Sequence, residues 1–121
     1  MIFTGYYSKY NFYIEHGLTP IAISGRCPDW YKGLWWKHLA PTWSIFSEWK
    51  SGKINDMEYS LRFFEEVLGK LNITDVKYEL DRIDNPILLC YENDGFCHRH
   101  LVADWLQGHA IDCVEYHQRE E

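Results

Sequence analysis

The sequence of 121 residues has no apolar run that approaches the ~18 residues of a membrane-spanning helix. Its first ten residues, MIFTGYYSKY, lack the charged-then-apolar order of a signal peptide. It has only four cysteines, and without a visible export signal we expect these to be thiols rather than a disulfide framework. Repeats, low-complexity tracts and linkers are also missing. We therefore expect one cytoplasmic domain over residues 1–121, with no membrane contact.

Basic charge is scarce, and its distribution bears on the choice of partner. The chain has 12 basic and 18 acidic side chains, for a net charge of −6. Residues 1–53 carry six basic and three acidic side chains, whereas residues 54–121 carry six basic and fifteen acidic ones. Phosphate neutralisation dominates the binding of duplex DNA, so this balance argues against an extended DNA partner. It leaves room for a small anionic ligand held by the basic part of the chain.

Hydrophobic residues make up 46% of the sequence and charged residues 25%, which is ordinary globular composition. The hydrophobic pattern predicts strands at residues 1–6, 20–24, 87–91 and 110–115, with an edge strand at 75–80. It predicts helices at residues 41–50, from a cap at Asn55 to about residue 70, and at 97–108, with a long loop at 25–40. Strands that alternate with helices indicate a three-layer α/β/α sandwich with a mostly parallel, Rossmann-like sheet.

The second of these helices has the clearest apolar stripe. Its members are spaced as on one helix face and comprise Met57, Leu61, Phe64, Val67, Leu68 and Leu71. We expect this stripe to pack against the core.

Two polar loops follow predicted central strands, at residues 25–40 and 92–96. Ligands of parallel sheets bind beyond the carboxyl ends of the strands, so both loops are expected to border one site. The candidate ligand-binding residues are Ser24 at the end of the strand and, from the first loop, Arg26, Trp30, Tyr31 and Trp35. Five of the six tryptophans fall between residues 30 and 49, and core burial is the alternative interpretation for them.

The second loop carries the residues most suited to chemistry. Cys90 ends a strand, and Cys97, His98 and Arg99 open a helix whose free amides favour an anion. Arg99 could grip a phosphate or carboxylate, and a thiol in the same field would have a lowered pKa. If a reaction occurs, Cys97 or Cys90 is the candidate nucleophile, and Glu92 and His98 are the candidate acid and base. Burial of both cysteines and a surface ion pair at Arg99 remain open alternatives.

Two kinds of site are not expected. The cysteine and histidine spacing matches no paired zinc knuckle, so the sequence predicts no metal site and no other cofactor. Eight residues separate Cys90 from Arg99, which is too many for the tight phosphate loop of a cysteine-dependent phosphatase.

The segments Cys90-Tyr91-Glu92 and Phe96-Cys97-His98-Arg99, followed by the helix HLVADWL, resemble the signature of the domain-of-unknown-function 488 family. The segment ISGRCPDWYKG resembles that of its small bacterial and phage members. The resemblance implies an α/β sandwich in a bacterial or phage-infected cytoplasm and supplies no reaction.

From the residues we hypothesise a pocket for a phosphate-bearing, nucleotide-like ligand. Arg26 and Arg99 would hold the anion, and an aromatic ring of the first loop would stack on a base. One alternative is an interaction protein or inhibitor that docks through residues 30–49, since aromatics are enriched at interfaces. Another is a binder of single-stranded nucleic acid.

Overall fold

The computed structural model describes residues 1–92 and 95–117. Five strands occur in these residues: β1 (Ile2–Tyr6), β2 (Thr19–Ala22), β3 (Leu34–Trp35), β4 (Pro86–Cys90) and β5 (Cys113–Glu115). The α-helices are α1 (Tyr10–Glu15), α2 (Trp43–Lys50), α3 (Asp56–Glu66), α4 (Ile73–Asp81) and α5 (His98–Gly108). Short 3-10 helices lie at Tyr7–Lys9, Lys37–Leu39 and Leu68–Lys70.

The strands form one parallel sheet in the order β3-β2-β4-β1-β5. The central strand β4 is buried at every position, as expected for a continuous apolar run with helices over both faces. Its neighbour β2 pairs with it in parallel, with Ile21 opposite Leu88 and Ala22 opposite Leu89. This confirms the predicted sandwich with a mostly parallel sheet.

Alternation along β4 sends its side chains to two separate clusters of the core. Leu88 packs into a large cluster that contains the buried residues of α2, α3, α4 and α5. Ile87 and Leu89 pack on the opposite face, in a smaller cluster with Tyr7 and Tyr13 from the region of α1. The two faces of the sheet are therefore covered unequally, by four helices and by one.

Helix starts follow the capping residues in the sequence. The Asn55 side chain accepts from the Glu58 amide at 2.8 Å, and the Glu58 carboxylate accepts from the Asn55 amide at 3.1 Å. This capping box confirms the predicted start of α3. Asn72 caps α4 in a similar way, accepting from the amides of Thr74 and Asp75.

The predicted edge strand at residues 75–80 is wrong, because these residues belong to helix α4. Val76, Tyr78 and Leu80 alternate as in a strand, but Val76 and Leu80 are also one helical turn apart. Both are buried, whereas Tyr78 between them is 62% exposed. The Asn72 cap and the shared helix face outweigh the alternation.

The apolar stripe predicted for α3 is wrong in its first half. Met57 and Leu61 are exposed, and the buried face of the helix is formed instead by Tyr59 and Phe63. Both pairs have the same spacing of four residues, so the spacing alone does not select the buried face. The helix also ends at Glu66, before the predicted boundary.

The predicted loop at residues 25–40 contains regular structure, namely β3 and the 3-10 helix Lys37–Leu39. The predicted loop at 92–96 is described only at its ends, and Asn93 and Asp94 lie outside the described residues. Within the described residues, every helix is too short or too polar to cross a bilayer.

Candidate functional site

A cleft of about 620 Å³ lies where the chain leaves strands β2 and β4. The two strands are parallel neighbours, so the segments that follow them emerge at the same edge of the sheet. Six of the residues predicted for the site are brought together in its lining, namely Ser24, Arg26, Cys90, Glu92, Cys97 and His98. The expectation that the two loops border one cleft is therefore met, while the roles of these residues stay predictions.

Four residues predicted for the site are not among the described residues that line this cleft: Trp30, Tyr31, Trp35 and Arg99. Trp30 and Tyr31 make ring contacts with Tyr7 and Tyr10, and Tyr31 packs against the smaller core cluster. That cluster lies on the opposite face of the sheet from the cluster that includes Phe96 and Trp49.

Trp35 has a supporting position at the edge of the site. Its indole Nε1 donates to the Ser24 carbonyl at 2.8 Å. The Ser24 hydroxyl in turn donates to the Arg26 carbonyl at 2.6 Å and forms a short hydrogen bond with the Tyr7 hydroxyl. Three hydrogen bonds of Ser24 thus hold the segment that follows β2, next to Arg26.

Arg99 is 1% exposed, although it belongs to the first turn of α5. Its guanidinium donates to both carboxylate oxygens of Glu115, each at 3.0 Å. It also donates to the Glu92 carbonyl, and at 3.3 Å to the sulfur of Cys90. Arg99 therefore binds other protein groups and does not line the cleft. Its ion pair with Glu115 joins α5 to β5.

Cys90, Cys97 and His98 are all buried and form one cluster in the cleft wall. Cys90 and Cys97 form a disulfide, with their Sγ atoms 2.05 Å apart and their Cα atoms 7.3 Å apart, so the expectation of thiols is wrong for this pair, whereas Cys27 and Cys113 are free. His98 Nε2 lies 2.5 Å from the Ile23 carbonyl oxygen, which accepts, so the proton must be on Nε2. Burial lowers the pKa of His98 to about 4, so the ring is neutral near neutral pH.

Cleft aromatics come mainly from helix α2, which the sequence interpretation did not assign to the site. Trp43, Phe46 and Trp49 line the cleft together with Tyr59 and Phe96. The three α2 residues are spaced by three, so they share a face of the helix, and Trp43 is 77% exposed. That spacing was visible in the sequence and was the signal that could have identified them.

Two exposed cations, Arg26 and Lys37, border the same cleft. Lys37 lies two residues after the end of β3, and its Nζ lies 5.4 Å from the Trp35 ring centroid. The α5 helix begins at the cleft with Cys97 as its N-cap, and no side chain of the described residues caps it. Two cations and a helix N-terminus therefore meet an aromatic wall in one cavity.

Comparisons with known proteins identify the family of the chain. Neither the curated proteins nor the solved structures gave a match to the chain. A family model described as "DUF488-N3a: Active DUF488-N3 subclade" matches residues 17–110. The matched range covers most of the chain, including the cleft segments after β2 and β4 and the Cys97-His98-Arg99 helix start. The chain therefore belongs to the DUF488 family.

Proposed function

We propose that the cleft binds a small phosphate-bearing ligand with a planar ring, of the nucleotide type. The observation that carries the proposal is the meeting of an aromatic wall and two cations in one cavity at the carboxyl ends of parallel strands. Its volume of about 620 Å³ is in the range of small-molecule sites, which are roughly 300–1,000 Å³.

Each part of such a ligand has a matching group in the cleft. Arg26 and Lys37 provide positive charge for a phosphate, and the amides at the start of α5 add to it. Trp43 and Phe46 provide exposed aromatic faces on which a base can stack. Arg99 is bonded to Glu115, so Lys37 rather than Arg99 is the second cation of the site.

The word "active" in the subclade's description supports a reaction in this cleft as well as binding. Glu92 is exposed in the lining, so it is available for proton transfer to a bound ligand. His98 gives its only proton to the Ile23 carbonyl and is a less suitable acid. In the reduced, metal-free protein, Cys97 or Cys90 is the proposed nucleophile.

Isothermal titration of the reduced protein with nucleoside mono-, di- and triphosphates tests the proposal. We expect Arg26→Ala and Lys37→Ala to weaken binding about tenfold or more, since charge-assisted hydrogen bonds contribute about 1.5–3 kcal/mol each. Lys32→Ala is the matched control, because Lys32 is an exposed cation in the same segment and is not in the described lining.

Stacking is tested separately with two tryptophans. Trp43→Leu is expected to weaken nucleotide binding by about 1–3 kcal/mol, the range for stacking on a base. Trp30→Leu is the control, because Trp30 is also exposed but contacts Tyr7 and Tyr10 and is not among the described residues that line the cleft. Equal effects of the two substitutions, or no binding across the nucleotide panel, would contradict the proposal.

A second proposal is a protein interface formed by residues 30–49, in which Leu34, Trp35 and Trp43 are exposed. Tryptophan fluorescence distinguishes the two functions. Quenching by iodide that a nucleotide relieves supports the cleft, whereas quenching that only a protein partner relieves supports the interface. An oligonucleotide that binds far more tightly than a mononucleotide, with steep salt dependence, would instead indicate single-stranded nucleic acid.

We also propose a cytoplasmic location, in a bacterial cell or a phage-infected host. Two of the four cysteines, Cys27 and Cys113, are free, and free thiols persist in a reducing compartment.

A further inference from the structure

The strongest unassigned feature is the cluster of Cys90, Cys97 and His98 in the cleft wall. One ligand atom from each of the three residues lies within 4.8 Å of the other two. All three residues are buried, yet all three line the cleft. Two sulfurs and an imidazole are a donor set that favours zinc over Mg²⁺ or Ca²⁺, which prefer oxygen ligands.

The hydrogen bond of His98 leaves one ring nitrogen with a free lone pair. Its Nε2 donates a proton to the Ile23 carbonyl at 2.5 Å, which leaves the lone pair on Nδ1. Metal-binding histidines almost always donate their other ring N–H to a carbonyl or carboxylate in this way, which fixes the ring orientation.

A second hydrogen bond is donated to the sulfur of Cys90. Arg99 donates to Cys90 Sγ at 3.3 Å from a guanidinium that Glu115 holds in place. The buried guanidinium therefore lies beside the sulfur, where it would offset part of the negative charge of a metal-bound thiolate.

The backbone spacing favours separated sulfurs. The Cα atoms of Cys90 and Cys97 are 7.3 Å apart, beyond the usual disulfide range of about 4.4–6.8 Å. We expect a Cα separation of this size to suit two thiolates that bind the same ion once the disulfide is reduced.

We propose that the reduced protein binds one zinc ion through the sulfurs of Cys90 and Cys97 and a ring nitrogen of His98. Binding releases the two thiol protons to solvent, so the two thiolates balance the charge of Zn²⁺. Three protein ligands leave a fourth position, which a water or a ligand in the cleft fills because all three residues face it. The inference does not rest on nucleotide binding, since the donors exist without any ligand.

Co²⁺ titration of the reduced, nucleotide-free protein is the first test. We expect one ion per chain, with the charge-transfer absorption of cobalt–thiolate bonds, and displacement of Co²⁺ by Zn²⁺. Cys90→Ser, Cys97→Ser and His98→Gln should each lower the affinity by more than about 100-fold, because even the loss of a supporting hydrogen bond costs about 10–100-fold. Cys27→Ser is the matched control and should bind as the unaltered protein does. Binding that persists in Cys90→Ser, or the absence of a thiolate band, would overturn the proposal.

Alkylation of the unaltered protein keeps the test independent of how the variants fold. Zn²⁺ should leave the rate at which iodoacetamide modifies Cys27 unchanged. It should slow the modification of Cys90 and Cys97 at least tenfold relative to the reduced protein without Zn²⁺, as read from peptide masses. Equal rates with and without Zn²⁺ would refute the site. Nucleotide titration of the zinc-free protein is a separate measurement, so failure of one proposal is distinguishable from failure of the other.

Discussion

Arg99 on helix α5 and Glu115 on strand β5 form a two-pronged ion pair in the interior. The guanidinium Nε and one terminal nitrogen each lie 3.0 Å from a different carboxylate oxygen. The Thr4 hydroxyl of β1 donates to the same carboxylate at 2.6 Å. One carboxylate therefore joins a helix, an edge strand and the strand beside it.

Removal of Arg99 should destabilise the fold strongly. In Arg99→Leu the Glu115 carboxylate loses its charged partner, and breaking a buried pair in this way costs about 3–5 kcal/mol. We expect about 3 kcal/mol, the lower end, because the Glu115 side chain keeps 19% of its exposure. Urea unfolding measures the free energy change. Lys77→Ala, which removes one partner of the exposed Lys77–Asp81 pair, is the control and should change stability far less. Equal losses in both variants would show that Arg99 has no such role.

The contribution of Glu115 should depend on pH. Burial alone would raise the pKa of Glu115, but the hydrogen bonds from Arg99 and Thr4 outweigh burial and lower it below its ordinary value. A lowered carboxyl pKa stabilises the fold above the unfolded pKa of about 4.3, and this stabilisation is lost as the pH falls through the folded value.

The free energy of unfolding of the unaltered protein should therefore exceed that of Glu115→Gln at neutral pH, and the difference should shrink below about pH 4. Glu65→Gln, at an exposed position on α3, is the control and should show a smaller difference over the same range. A difference for Glu115→Gln that stays constant with pH would contradict the prediction.

Gly5 lies where the backbone of β1 approaches α1 closely. A Cβ at this position would lie 2.5 Å from the Tyr13 hydroxyl oxygen and 2.9 Å from Ile87 Cδ1. Tyr13 is fully buried and its hydroxyl accepts from the Tyr6 amide, so it has little freedom to move. We expect Gly5→Ala to cost about 1–3 kcal/mol, the range for overpacked cores.

The matched control is Gly108→Ala at the end of α5, where an added Cβ would meet no described atom within 4 Å. Alanine favours helix over glycine by up to about 1 kcal/mol, so this variant should be neutral or slightly more stable. Thermal unfolding compares the two, and a Gly5→Ala protein as stable as Gly108→Ala would refute the close-approach argument.

The parts of the fold that could be predicted are those set by local chemistry. The continuous apolar run of β4 predicted a strand covered on both faces, and the Asn55–Glu58 pattern predicted the start of α3. The position of the cleft followed from the rule for parallel sheets, once β2 and β4 were recognised as strands.

Other features depend on contacts between distant residues and could not be read from spacing. Arg99 was expected to bind a ligand, but it pairs with Glu115, which lies 16 residues further along the chain on strand β5. The aromatic wall was assigned to the loop before α2, whereas Trp30 and Tyr31 turn to the opposite face of the sheet. Which face a loop side chain joins depends on the path of the chain, and no periodicity encodes it.

The two outer strands of the sheet are its shortest, with two residues in β3 and three in β5. An edge strand exposes unpaired amides and carbonyls, which invite the addition of a strand from another chain. Edges as short as these offer a neighbouring molecule very few such groups. We therefore expect the two edges of the sheet to contribute little to association between molecules of this protein.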